Sequence, residues 1–444
     1  MDGCNMSRHL VMSEDSRGDI PRASERPAAW DDRGTSSQPV DIFLFADLCF
    51  LEPSSGFPPG RMPARSDMMA GLKELMTATA TPLASIFGSG FLVIVPILSG
   101  LVGPYSVFAM AAVCALAYAV GSVVRFNIAH FEPLLEAGNA PLLARRSEQV
   151  ADMALVLAYV ISVSLYINIL SAFLLHGIGL DSPLHEHVVT VSVISLIALV
   201  GATRGLDMLQ KLEGYALRIT LVIIVAVLIG FGGYDLDVAE AGTLQWPSLP
   251  DATPWLILTT LGGTLIVTQG FETSRYLGQE FDRQTRIRSS RLSQIMSTGV
   301  YLLFVALATP LMYFLGDTVD DSALIVLAGK AAVWLPAPLI AAAVLSQFSA
   351  AVADTIAGAG NMIEVSEQRI DRRLAYLGIC GFAIVLAFHE TLTLVALASR
   401  AFAFYYLLQC MVAICITRNT FERAAIGLVA VVLAFITVFA VPVG

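Results

Sequence analysis

Two glycine-containing interruptions in hydrophobic segments are the residues of this sequence best suited to binding a small molecule. The first is Gly88-Ser89-Gly90, within the run Thr81–Gly100, and the second is Gln269-Gly270-Phe271-Glu272-Thr273, within the run Leu256–Leu277. Glycine inside a helix costs about 1 kcal/mol relative to alanine, and an unsatisfied backbone group in lipid costs several kcal/mol. Paired interruptions of this kind are typical of a transporter's binding site, where the freed groups line a polar cavity.

The first interruption is predicted to form an anion site. Unwinding at Gly88, Ser89 and Gly90 would expose backbone amides at the N-terminus of the following half-helix, where the helix dipole favours a negative charge. A substrate carboxylate would bind there, with the Ser89 hydroxyl as a further donor. The alternative is a face of small residues that lets two helices approach closely.

The second interruption adds complementary groups. Gly270, between Gln269 and Thr273, is expected to free carbonyls that accept hydrogen bonds from a substrate ammonium group, and Phe271 is expected to close over it as a gate. Glu272 is an ionisable group near membrane depth, where such groups are costly and usually functional. Its alternative role is structural, as a carboxylate satisfied by neighbouring amides. We expect the two interruptions to lie side by side near the middle of the membrane.

Two further charged residues fall within predicted spans. Asp354 is interpreted as a cation ligand or a titrating proton site, and its alternative is a position near the end of its helix that faces water. Arg400 is interpreted as part of an outer gate or as the partner of a carboxylate. Its alternative is a side chain that extends to the membrane interface.

Composition identifies a membrane protein. Of the 444 residues, 56% are hydrophobic and 14% are charged, and a helix needs about 20 apolar residues to cross the bilayer. The sequence therefore predicts an all-α polytopic transmembrane domain over residues 71–444, preceded by a disordered cytoplasmic extension over residues 1–70. We expect about eleven spans, near residues 80–102, 105–127, 150–176, 187–203, 213–232, 254–278, 294–316, 334–362, 373–389, 391–416 and 424–443.

Charge distribution predicts the orientation. Basic residues concentrate in alternate loops, as in the cluster Arg283, Arg286, Arg288 and Arg291, and the remaining loops are acidic. By the positive-inside rule, the N-terminus lies in the cytoplasm and, with eleven spans, the C-terminus lies outside. We expect the protein in the cytoplasmic membrane, in contact with lipid and a small-molecule substrate.

Several function classes are not supported by the sequence. A formal net charge of −10 argues against nucleic-acid binding. The sequence has neither a nucleotide-binding motif nor an arrangement of nucleophile, base and orienting group that would indicate an enzyme. We therefore expect no cofactor, and transport that is driven by a proton or sodium gradient or by exchange.

The two interruptions and their flanking residues resemble a known transporter family. Ala84-Ser-Ile-Phe-Gly-Ser-Gly-Phe-Leu-Val, with Gly100-Leu-Val-Gly-Pro104, is similar to the first span of amino acid–polyamine–organocation (APC) permeases, and Gly270-Phe-Glu-Thr-Ser-Arg-Tyr is similar to their sixth. The resemblance implies the leucine-transporter type of fold, with broken helices 1 and 6. It implies two inverted five-helix repeats, at about 80–232 and 254–416, and one extra helix over 424–443.

The resemblance also implies roles for individual residues. Tyr166 matches a substrate-facing tyrosine in span 3, although an aromatic residue there can simply be a packing residue. In sodium-coupled members of this fold, carbonyls of span 1, here those of Ala84 and Phe87, face span 8, here Thr355 with Asp354. Thr220 stands where some proton-coupled relatives have a lysine.

These observations predict a secondary transporter of an amino acid or a related small organic amine, working by alternating access. The coupling ion can be a proton or sodium. The alternatives are an inorganic-cation permease of the same fold and a membrane sensor that does not transport.

Overall fold

A computed structural model describes residues 65–88, 90–180, 182–205, 207–278, 280–315 and 323–442. Ser89 and most of the predicted N-terminal extension therefore lie outside the described residues. The described part is helical and contains no strand. Its helices are α1 (Arg65–Gly88), α2 (Ile94–Val102), α3 (Ser106–Glu136), α4 (Leu142–Ile178), α5 (Pro183–Arg204), α6 (Asp207–Glu240), α7 (Pro254–Gly262), α8 (Arg283–Ala308), α9 (Ala323–Ala331), α10 (Pro336–Val365), α11 (Arg372–Leu386), α12 (Thr391–Ile416) and α13 (Thr420–Phe439).

Short 3₁₀ helices connect several of these elements. They are Gly103–Tyr105, Leu265–Thr268, Phe271–Leu277 and Leu311–Leu315. The third of them, Phe271–Leu277, is called the 271–277 segment below. It carries the residues that follow the second interruption.

The described chain is a polytopic membrane protein. Eight helical stretches are long and apolar enough to cross a membrane. Three further segments are interrupted or short: α1 with α2, α7 with the 271–277 segment, and α11. Counted as one span each, they would give the eleven spans that the sequence predicts. The exact number of spans, their orientation and the inverted symmetry of the two repeats stay predictions.

Helix α4 lies at the centre of the bundle and packs along both α10 and α12. In its most apolar stretch 78% of the residues are buried, compared with 28% in α5 and in the described part of α6. The amino-acid composition of α4 explains this difference. Residues on a lipid-facing helix need only be apolar, whereas α4 also carries serine, tyrosine and asparagine side chains, and these are buried within the protein.

Local sequence explains where the helices near the site begin and end. Helix α8 starts at Arg283, earlier than the predicted span 294–316, because Asp282 caps it: Thr285 N donates to Asp282 Oδ1 over 2.6 Å. That hydrogen bond also holds the pKa of Asp282 below its ordinary value. Pro310, which cannot donate a backbone hydrogen bond, follows the end of the helix.

Both interruptions predicted from the glycines are present. The first spans the residues between Gly88, where α1 ends, and Ile94, where α2 begins. The second starts earlier than predicted, since α7 ends at Gly262 and the chain continues as 3₁₀ helix. Two adjacent glycines, Gly262 and Gly263, explain this early end, because glycine has a low helix propensity.

The two interruptions touch backbone to backbone. Gly90 has a φ of +151°, and a Cβ on it would lie 2.8 Å from Cγ2 of Val267. Gly270 has a φ of +126°, and its Cβ would lie 2.6 Å from the amide nitrogen of Ile86. Only glycine adopts such conformations without strain, so both glycines are required for the close approach of helices 1 and 6.

We predict that Gly270→Ala destabilises the protein. The new Cβ would meet backbone atoms of α1, and overpacking of this kind costs about 1–3 kcal/mol. The melting temperature in detergent should therefore fall. Gly233→Ala on α6 is the matched control, because no atom lies within 4 Å of its Cβ position. An unchanged melting temperature for Gly270→Ala would contradict the backbone contact.

Candidate functional site

Two hydroxyl groups satisfy the backbone freed at the interruptions. The Tyr301 hydroxyl, on α8, lies 3.1 Å from the carbonyl oxygen of Ile86 and 2.7 Å from that of Val267. Ser399 Oγ, on α12, donates to the Gly263 carbonyl over 2.8 Å and accepts from Ile266 N over 3.0 Å. Sequence reasoning missed Tyr301 and gave Ser399 no role, because a tyrosine or serine in a membrane helix looks like an ordinary packing residue.

Glu272 is fully buried and half satisfied. Its Oε2 accepts from Gly270 N over 2.8 Å and from the Tyr406 hydroxyl over 2.7 Å. Its Oε1 has no hydrogen-bond partner among the described residues. The structural role considered for Glu272 thus accounts for one oxygen atom, and the other can bind a ligand.

The Gly270 carbonyl is not free, contrary to expectation. It accepts hydrogen bonds from Thr273 N over 3.2 Å and from Thr273 Oγ1 over 2.7 Å. The tight 3₁₀ turn that follows Gly270 brings Thr273 back onto this oxygen. A substrate ammonium group would therefore bind to Glu272 Oε1 more readily than to this carbonyl.

Aromatic rings surround Glu272. Phe271 stacks on Tyr406 with ring centroids 5.4 Å apart and an interplanar angle of 18°. Gln269 Nε2 donates to the Tyr166 hydroxyl over 3.1 Å, which brings two predicted site residues together. These four side chains are buried, each 1% exposed or less. The region between the two interruptions is therefore closed to solvent in this structure.

The first interruption is a site of close packing, the alternative considered for it, and its role as an anion site stays a prediction. A Cβ on Gly88 would lie 2.7 Å from Cβ of Ala350, so Gly88 allows close packing against α10. Gly90 lies at the contact with Val267. Replacing Gly90 by leucine would therefore meet Val267 and also strain the backbone, because of the positive φ of Gly90.

A small cavity lies beside the first interruption, between α1, α6 and α10. Its lining includes Ala84 and Phe87 from α1, Thr220 from α6, and Asp354 from α10. The volume open to the centre of a water molecule is about 20 Å³, which suffices for one water molecule or one bare cation. An amino acid does not fit in it.

The cavity joins hydroxyl groups that the sequence did not bring together. Ser346 and Ser349 of α10 line it, and the buried Thr220 Oγ1 has no partner among the described residues. Thr355 was expected to face α1, but its hydroxyl donates to Ala351 O over 2.7 Å and lies beside Cys380 of α11. One residue along a helix is a rotation of about 100°, and so Thr355 points away from the cavity that Asp354 lines.

Arg400 lies at the end of another helix rather than beside Phe271. Its Nε donates to the carbonyl of Thr437 over 2.9 Å and its Nη2 to that of Val438 over 3.2 Å. These are the last carbonyls of α13, where a cation is favourable. The structure thus gives Arg400 a capping position and does not bring it to the predicted gate.

A network of buried charges lies at the basic end of the bundle. Arg275 pairs with Glu148 of α4, and Arg286 of α8 pairs with Glu132 of α3 through contacts of 2.7 and 3.1 Å. Gln409 Nε2 of α12 donates to Glu148 Oε2 over 3.2 Å. The sequence placed Arg286 in a cytoplasmic loop and Arg275 within the predicted span 254–278. Their partners could not be read from it because the carboxylates come from distant helices.

Comparison with known proteins shows which family this chain belongs to. A family model described as APC superfamily transporter matches residues 70–441. The chain belongs to the APC superfamily. A protein of Aquifex aeolicus (strain VF5) is 34% identical over 377 residues, which cover 83% of this chain and 91% of that protein.

Solved structures of similar fold are also membrane transporters. Two variants of a manganese transporter from Eremococcus coleocola align with TM-scores of 0.53 and 0.51, each at 13% identity and covering 85% of this chain and 88% of the other. At this identity the similarity concerns the fold alone. The family match, by its description, identifies this chain as a transporter.

We predict that Tyr301→Phe lowers stability because it removes the hydroxyl that bridges the two interruptions. Loss of a buried hydrogen bond costs about 1–3 kcal/mol when its partner stays buried. Thermal unfolding in detergent would measure the effect. Tyr313→Phe, at a tyrosine that is 49% exposed, is the control and should unfold like the unmodified protein. Equal melting temperatures for both variants would show that the bridge does not stabilise the interruptions.

Proposed function

We propose that this protein is a secondary transporter of an amino acid or a small organic amine, driven by a cation gradient. The observation that carries the proposal is the pairing of two different compartments at the helix interruptions. One is an aromatic-lined region around the half-satisfied Glu272, and the other is an ion-sized cavity beside Asp354. A solute and a driving ion need two such sites, close enough to influence each other.

The solute site suits an ammonium group. Glu272 Oε1 offers a carboxylate oxygen, and the stacked rings of Phe271 and Tyr406 add a surface that attracts cations. The amides near Gly88 and Gly90 remain our candidate for a substrate carboxylate. Tyr166, held by Gln269, would complete the wall of the site.

The ion site suits a small cation with oxygen ligands. Thr220, Ser346 and Ser349 provide hydroxyls, and Asp354 provides charge next to α1. Hard cations such as sodium prefer oxygen ligands, and a carboxylate in the same place can instead carry a proton. The coupling ion is thus sodium or a proton, with Asp354 and Glu272 as the two carboxylates that could respond to it.

Transport of an inorganic cation is the second candidate. The oxygen-lined cavity with Asp354 favours it, and the solved relatives of similar fold are described as manganese transporters. The described residues include no group of three or more histidine, cysteine, aspartate or glutamate side chains that could hold a metal ion. This observation gives the organic solute first place.

Uptake by purified protein in liposomes would separate the candidates. Labelled amino acids, small amines and Mn²⁺ should be offered under an inward sodium gradient, an inward proton gradient, or neither. We expect uphill uptake of an amino acid or amine under one of the gradients. Uptake of Mn²⁺ alone would favour the second candidate, and no uptake of any solute would contradict both.

We also predict different effects for the two carboxylates. Asp354→Asn should abolish accumulation against a gradient and change equilibrium substrate binding only modestly, because the shape is kept and the charge removed. Glu272→Gln should weaken substrate binding about tenfold or more, since a hydrogen bond to a charged group contributes about 1.5–3 kcal/mol. Asp237→Asn, at an exposed position near the end of α6, is the control. Accumulation by Asp354→Asn with unchanged ion dependence would make Asp354 structural.

A further inference from the structure

Buried polar atoms without partners cluster between α4, α12 and the 271–277 segment. They are Glu272 Oε1, Tyr159 Oη and Arg275 Nη1, none of which has a hydrogen-bond partner among the described residues. The Tyr405 hydroxyl lies in the same region and has Tyr276 as its hydrogen-bonding neighbour. Buried polar groups are nearly always satisfied by protein or by ordered water. Three such atoms in one region indicate positions for water molecules rather than three separate defects.

These atoms follow a continuous column. Side chains three residues apart in a 3₁₀ helix lie above one another, which places Glu272 and Arg275 on one side of the 271–277 segment. On α4, Glu148, Asp152 and Tyr159 share a face because their spacings of four and seven residues match the helical repeat.

Direct contacts hold the three faces together. The Tyr406 hydroxyl of α12 binds Glu272 at one end, and Glu148 of α4 binds both Arg275 and Gln409 at the other. Tyr405, one residue before Tyr406 on α12, has Arg275, Glu148 and Glu272 as its charged neighbours. Its ring centroid is 5.1 Å from that of Tyr406. The column thus runs from the candidate solute site to the buried charge network.

The network at the end of the column has more carboxylates than arginines. Arg275, Arg283 and Arg286 form ion pairs with Glu132, Glu136 and Glu148. Asp152 adds a fourth carboxylate, with Glu148, Glu364 and Arg275 as its charged neighbours. It is half-buried, so it can receive a proton from the column and release it to water.

We propose that Glu272 exchanges its proton with the cytoplasm along this column, through water molecules held by Tyr159, Tyr405 and Arg275, with Asp152 as the exit. The inference rests on the proposed function and names the proton as the coupling ion. A proton leaves Glu272 Oε1, which becomes a carboxylate. Each water accepts one proton and passes one on, and the Asp152 carboxylate becomes a carboxylic acid until it releases the proton to bulk water.

The groups around Glu272 are compatible with a protonation change there. Most are tyrosines, which stay neutral at physiological pH, and the nearest cation belongs to the column itself. The titratable neighbours on α4, α10, α12 and the segment itself are Tyr159, Tyr166, Asp354, Tyr405, Tyr406, Arg275 and Tyr276. From α8 and α3, which pack against the segment, Tyr301 contacts the Val267 carbonyl, Arg286 contacts the Arg275 carbonyl and Glu132 contacts the Arg275 side chain.

Substrate-driven proton movement tests the column. Liposomes containing the protein and an entrapped pH-sensitive dye would receive an equimolar mixture of the twenty common amino acids and putrescine. Counterflow of the labelled mixture at equal pH on both sides would measure exchange that needs no net proton movement. Tyr405→Phe and Asp152→Asn are the test variants. Tyr376→Phe is the matched control, since its buried hydroxyl accepts a hydrogen bond from Arg372 Nε on α11.

We expect the dye signal of both test variants to be about tenfold slower or more, because each variant loses one buried polar partner. We expect both variants to retain counterflow. Tyr376→Phe should retain both. If Tyr405→Phe does not fold, the dye signal of Asp152→Asn, at a half-buried position, still tests the column. An undiminished dye signal in the test variants would overturn the column, and so would solute uptake by the unmodified protein without any proton entry. Absence of any solute uptake by the unmodified protein would instead overturn the proposed function.

Discussion

The backbone contact between the two interruptions is the constraint on which the rest of the site depends. Gly90 and Gly270 both have positive φ, and each brings its strand of backbone against the other interrupted segment, at Val267 and at Ile86. A side chain at either glycine would separate the two segments. Because unwound backbone in a membrane must be satisfied within the protein, this contact also determines which polar side chains are needed around it.

Those side chains come from every direction around the interruptions. Tyr301 reaches two freed carbonyls from α8, Ser399 reaches a carbonyl and an amide from α12, and Glu272 covers the amide of Gly270 from within the segment itself. Almost all of the capacity of these groups is used internally. The second oxygen of Glu272 is not used in this way, and beside the first interruption the hydroxyl of Thr220 also has no partner among the described residues. These two atoms mark the two compartments that we assign to solute and ion.

The two ends of the bundle are closed by different interactions. At the basic end, Arg275 joins the 271–277 segment to α4 through Glu148, so that opening there must separate buried charges. At the other end, Gly103 lies directly beneath the backbone of Ser248, which belongs to the linker before α7. A contact between charged side chains changes with protonation, whereas a contact between packed backbone segments does not.

The sequence by itself determined the class of protein, the approximate spans, both interruptions and the APC resemblance. These are local properties, because hydrophobicity and glycine content act on the segment that carries them. The tertiary structure decided which polar atoms meet. Asp354 lines the ion-sized cavity and Thr355 does not, a difference of one helical step that depends on how α10 is rotated against α1 and α11. Arg400 caps a helix that ends nearly forty residues later, and Arg275 finds Glu148 more than one hundred residues earlier. Such partners are set by the packing of whole helices, which no short stretch of sequence contains.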